Sequence, residues 1–115
     1  MQYLLMLYAA ESEAAQRTPD EMQARIAAYG AYTRALDEAG VLVGRDRLQP
    51  VASATTVRVA DGKTEVLHGP YADTREQLGG YYLIDVADLD VAISWATRCP
   101  GASHGSVEVR PVWKM

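Results

Sequence analysis

The sequence predicts an α+β domain on the ferredoxin-like, split βαβ plan: an antiparallel sheet, two helices on one face, and an inserted β-hairpin. Three observations carry that prediction. Two segments with helical periodicity each lie between strand-like runs, so the chain reads strand–helix–strand, hairpin, strand–helix–strand. Asp61-Gly62 separates two alternating, β-branched runs, and this pair favours a type I′ hairpin turn. Finally, 115 residues, 49% apolar and 23% charged, suit one ordered domain over residues 1–115, with no repeat, linker or low-complexity segment.

The first strand is read in Gln2 to Tyr8, a run rich in Leu and Tyr that suits the centre of a sheet. It lacks a basic flank and is too short to span a bilayer, so it is read as neither a leader nor an anchor. The first helix announces itself at "TPDE". Thr18 can cap, Pro19 sits where a missing N–H costs nothing, and Glu21 can close a capping box. Met22, Ile26, Tyr29, Thr33 and Leu36 then share one helical face, and Gly40 ends the helix. Val41 to Val43 begins a short strand, followed by "GRDRLQP" as a loop or irregular edge.

The hairpin occupies "ATTVRVADGKTEVLH" and ends at His68. After the polar stretch "HGPYADTREQLGG" comes the strand "GYYLIDV". Asp88 caps the second helix, whose apolar stripe is Leu89, Ala92, Ile93 and Ala96, and Pro100 follows. The last strand, "GSVEVRPV", sets Val107 and Val109 on one face and Ser106, Glu108 and Arg110 on the other. One face of the sheet then has no helix over it. It is expected to carry Leu4, Tyr82 and Val109, or their neighbours depending on register, and a second copy of the chain is the economical cover.

A net charge of -4 gives no basic footprint, which argues against nucleic acid and an anionic membrane as direct partners. The single cysteine, Cys99, excludes an intramolecular disulfide, and a cytoplasmic location is the default expectation. No H-x-x-H, H-E-x-x-H or C-x-x-C spacing supports a metal site, and no glycine pattern supports a nucleotide cofactor. No cofactor is therefore expected.

The candidates for chemistry cluster after the hairpin. His68 is the natural general base, with Asp73 to orient it, although a turn histidine bonded to loop backbone is the stronger reading. Tyr71, Arg75 and Glu76 on the same loop, Tyr29 on the first helix and Arg110 on the last strand could line a cleft for a small anion. Against this stand a solvated turn with one surface ion pair and, for Arg110, an interfacial or surface ion pair with Glu108 or with an acid of a partner copy. Gly79-Gly80 reads best as a β-bulge. The tyrosines are expected in the core, each needing one hydroxyl partner.

The segments "MQYLLMLYA", "AGVLV", "ATTVRVADGKTEVLHGPYADTREQLGGYYLIDVADLDVAISWATRCP" and "GSVEVRPV" closely resemble the YCII-related proteins, specifically the DGPF-motif subgroup. The resemblance runs over nearly the whole chain. It implies a dimeric α+β barrel, two ferredoxin-like protomers packed sheet to sheet, and a cytoplasmic bacterial homodimer. Because dimeric α+β barrels include haem proteins, it also raises an axial His68 or His104, which nothing around either residue supports. It carries no settled activity. One implied reading is a small-molecule enzyme or binding protein; the alternative is a non-catalytic regulatory dimer associated with extracytoplasmic-function sigma factors. Two positions depart from the pattern: His68 replaces the motif's acid, and Tyr71 its phenylalanine. Tyr29 stands near the place of a first-helix histidine held to form a His–Asp site in the smaller subgroup, so that role does not transfer.

Overall fold

The computed structural model describes residues 1–115. Four strands form the main sheet, in the order β2-β5-β1-β6: β1 (Gln2–Ala9), β2 (Leu42–Arg47), β5 (Gln77–Asp85) and β6 (Ser106–Pro111). All three pairings are antiparallel. The two central strands are the most apolar, and the edges carry the charge, as solvent at an edge demands. The order is compatible with the ferredoxin-like plan. A second, two-stranded sheet is the hairpin of β3 (Thr55–Ala60) and β4 (Lys63–His68). Its turn residues Asp61 and Gly62 both have positive φ, +52° and +74°, as a type I′ turn requires.

Helix α2 (Pro19–Glu38) is capped as its sequence dictates, the Thr18 hydroxyl accepting from the Glu21 N–H at 3.2 Å. At its far end Gly40 adopts φ +72°, while Val41 N–H reaches Leu36 C=O and Gly40 N–H reaches Asp37 C=O, the bond pair of a Schellman stop. Helix α3 (Leu89–Arg98) is capped by the Asp88 carboxylate on the Val91 N–H. Two short helices were not anticipated: α1 (Glu11–Ala14) and α4 (Gly101–His104). Both are single turns inside stretches read as connections, too short for a periodic signal. Glu11 of α1 donates its N–H to Gln77 and accepts from the Val51 N–H, tying the root of the hairpin to β5.

The core lies between the sheet and helices α2 and α3. Leu5, Ile84, Leu36 and Cys99 are its fully buried centre, with Tyr3, Tyr32, Tyr82, Ala92 and Ala96 around them. The antiparallel register places Leu5 opposite both Tyr82 and Val109, so those three side chains share the helix-covered face. Of the residues expected on the bare face, Leu4 is there; Tyr82 and Val109 are not, and their neighbours Leu83 and Arg110 take their places. Helix periodicity was also too generous. Met22 and Ile26 on α2, and Leu89 and Ile93 on α3, are exposed, whereas Tyr32, Leu36, Ala92 and Ala96 are the residues these helices bury.

The hairpin makes the protomer spread out. Its dimensions are 47 × 44 × 18 Å and its radius of gyration is 16.1 Å, against about 13 Å for a compact chain of this length.

Candidate functional site

Gly69 accounts for much of the motif after the hairpin. Its φ of +117° is open to glycine and costly for any side chain. Its N–H donates to Ala54 C=O at 2.7 Å, and its C=O accepts from the Thr56 hydroxyl at 2.8 Å, so it clamps the two ends of the hairpin together. His68, the last residue of β4, faces Thr55 across the ladder and is exposed. Tyr71 is 78% exposed. Asp73 and Arg75 are exposed, and neither forms an ion pair with the other or with Glu76. Glu76 accepts from the Ser106 hydroxyl at 2.8 Å and, through its carbonyl, from Thr74. Arg110 pairs with Glu108 on the bare face of the sheet. His68 and Asp73 share no hydrogen bond, and none of the loop candidates lines either of the two hollows described below. Gly79 is the bulge residue, since Leu7 pairs with Gly80 and Tyr8 with Leu78.

A different corner of the molecule has the character of a site. Of the four tyrosines between sheet and helices, Tyr3 donates to the Met1 sulfur at 3.3 Å, Tyr32 donates to Trp95 C=O at 2.7 Å and Tyr82 shares a 2.8 Å bond with the Thr33 hydroxyl. Tyr29 alone has no hydroxyl partner in the chain, although its backbone carbonyl holds Thr33. Its phenol lies over Gly101 at the start of α4, so close that a β-carbon there would come within 2.7 Å of the oxygen. Leu7 of β1 and the Cys99 thiol close the same corner.

Burial pushes the Tyr29 phenol up to about 12, the buried Cys99 thiol and the Tyr82 phenol adding to the effect. The Arg25 and Arg17 guanidinium groups pull the other way, near enough to favour the phenolate. At neutral pH the group therefore remains a hydrogen-bond donor. Burial likewise raises the Cys99 thiol, which leaves it a poor nucleophile.

The Arg17 Nε–H is shut off from solvent and has no acceptor. An unmet buried donor of this kind costs about 1–3 kcal/mol. On the outer side, a hollow of about 310 Å³ runs between α2 and α4, walled by Glu21, Ala24, Arg25, Ala28, Pro100 and His104. Arg25 belongs to both the hollow and the surroundings of Tyr29. A larger open hollow, about 970 Å³, lies at the other end of the sheet beneath Trp113 and the ion pair of the N-terminal amine with Asp85. Its polar groups already have partners or face water, so it lacks a comparable demand for a ligand.

Residues 1–115 match the YCII-related domain. The chain belongs to the YCII-related family. An uncharacterised protein of Rhizobium meliloti (strain 1021) is 40% identical over 114 residues, covering 97% of this chain and 92% of its own. No helix of this YCII-related domain is long and apolar enough to cross a membrane.

Of the residues proposed in the sequence to line a cleft, Tyr29 alone falls in the corner just described. Arg17, Arg25 and Gly101 were missed. Arg25 and Tyr29 stand four apart on one helix, which places them on neighbouring turns and is a legible signal. Arg17 precedes the cap and Gly101 follows a proline, and nothing local ties either to Tyr29.

Proposed function

We propose that this DGPF-type, YCII-related domain binds a small anion, a carboxylate or a phosphate ester, in the cleft between sheet and helices. The Arg17 Nε–H, the Tyr29 hydroxyl and the Arg25 guanidinium are its donors. The observation that carries the reading is the solvent-free Arg17 N–H with no acceptor, whose charge also acts on the Tyr29 phenol, a group with no partner in the chain. An anion satisfies both donors, and charge-assisted bonds of this kind are the strong ones. The reading is binding rather than acid–base turnover. The Tyr29 phenol holds its proton at neutral pH, and His68 and Asp73 have no contact through which to act as a pair. The protein works as a homodimer, its bare sheet face, with Leu4, Met6 and Leu83, set against a second copy.

The test is thermal unfolding of the full chain with phosphate, citrate and short dicarboxylates, against sodium chloride at equal ionic strength. At a hundred times its dissociation constant a ligand adds about 2.7 kcal/mol, a rise of several degrees. Arg17→Gln should weaken the response at least about tenfold, the worth of one charged hydrogen bond. If no anion outperforms chloride, or if Arg17→Gln responds like the parent, the reading fails.

A further inference from the structure

The β3–β4 hairpin is two-faced. Cross-strand partners share a face, so the register sets Thr55, Val57 and Val59 beside His68, Val66 and Thr64 on one side. The other side carries Thr56, Arg58 and Ala60 opposite Leu67, Glu65 and Lys63. Nothing in the chain covers the valine side: Val57, Val59 and Val66 are 61%, 67% and 55% exposed. A lone two-stranded hairpin is at best marginally stable in water. This one is joined to the main body only at its root, and its strands pair with each other alone.

The surface area says how much cover is missing. The protomer exposes 8252 Å², whereas a folded monomer of its mass exposes about 6,200 Å². The excess of roughly 2,000 Å² is more than twice the ~800 Å² that one partner contributes to a standard interface. The bare sheet face does not account for it. Four strands ~4.8 Å apart and about six residues long, at ~3.4 Å per residue, present only ~400 Å² of plan area. The arm contributes to the rest, with the exposed loop and C-terminus, where Tyr71 is 78% and Trp113 90% exposed.

We propose that the β3–β4 hairpin is a clasp that lays its Val57–Val59–Val66 face on a second copy of this chain, beyond the edge of the sheet-to-sheet contact. The inference rests on the two-copy reading above. A second copy is the occupant because the arm and the bare sheet belong to one chain and are uncovered together. A two-fold axis lets each protomer's arm be covered as its sheet is covered, with no further component. The charged face, with Arg58 and Glu65 directly opposite one another, stays in water.

Sedimentation of the full chain with two single substitutions at adjacent positions tests this. Val59→Glu puts a charge on the proposed docking face; Ala60→Glu puts one on the opposite face, across from Lys63. Both sites are exposed in the protomer, so circular dichroism should report unchanged folding. The expected result is a dimer for the parent, a dissociation constant raised at least about tenfold by Val59→Glu, and little change for Ala60→Glu. A dimer that both variants leave intact, or weaken alike, overturns the clasp and leaves the two-copy reading standing. A parent that is monomeric at micromolar concentration overturns both. Should Val59→Glu fail to fold, amide exchange on the parent decides: residues 57 to 66 must be more protected at micromolar than at nanomolar concentration, and equal exchange refutes the clasp.

Discussion

Two polar clusters in this chain invite opposite conclusions. The stretch His68 to Glu76 gathers a histidine, acids, an arginine and a tyrosine in sequence, yet it lies in solvent and is organised around Gly69, which pins the hairpin root. Arg17, Arg25 and Tyr29 are scattered across a cap and a helix, yet both guanidinium charges act on the one phenol, and the Arg17 Nε–H is shut off from water without an acceptor. What separates the clusters is satisfaction. An exposed polar group already has water and asks for nothing, whereas a donor removed from water is costly until something fills the place. Density of reactive residue types along a chain is a weaker guide to a site than unmet hydrogen-bonding capacity in the fold.

The comparison can be broken at Gly101. A β-carbon at that position would stand 2.7 Å from the Tyr29 oxygen and 3.4 Å from Leu7. Gly101→Ala should therefore cost about 1–3 kcal/mol in urea unfolding, the usual range for forcing extra volume into a packed place. It should also blunt the anion response by displacing the phenol. Full stability with an intact response would mean that the corner is looser than its geometry indicates.

A smaller effect is expected in alkali. The Tyr29 phenol is raised from 10.0 to about 12, so the folded chain holds this proton more tightly than the unfolded chain does. Its contribution to stability is complete below pH 10 and is lost as pH rises through 12. Tyr29→Phe removes that dependence. A profile that Tyr29→Phe does not alter would place the phenol in solvent.

The smallest effects belong to the loop. His68→Ala and Asp73→Asn should each shift stability by no more than about 0.5 kcal/mol, as exposed substitutions do, and leave anion binding at parental strength. A loss of binding in either would return the loop to the site.

Much of the fold was legible because its signals are local. The Thr18 cap, the Gly40 stop and the Asp61-Gly62 turn each depend on a few consecutive residues, and each formed as read. Which face a strand buries is another matter. Tyr82 and Val109 lie under the helices because of their register with Leu5, and register is fixed by partners far away in sequence. Ile26 and Leu89 kept the period of a buried stripe without being buried, since period gives direction and not the extent of the surface beneath. The site was harder still. Tyr29 could be named as one tyrosine among several, but its lack of a partner follows from where Trp95 and Thr33 sit, which serve Tyr32 and Tyr82 instead.

The most direct measurement is the Arg17 Nε–H resonance in a ¹⁵N-edited spectrum of the full chain, assigned by its loss in Arg17→Gln. A donor shut off from water and lacking an acceptor should exchange slowly with solvent at neutral pH, unlike the Nε–H of exposed Arg58 or Arg75. On titration with phosphate or a dicarboxylate it should move in step with saturation, as the vacant hydrogen bond forms. An Arg17 signal that exchanges as fast as those of the exposed arginines, or that stays still while an anion binds, would contradict the account.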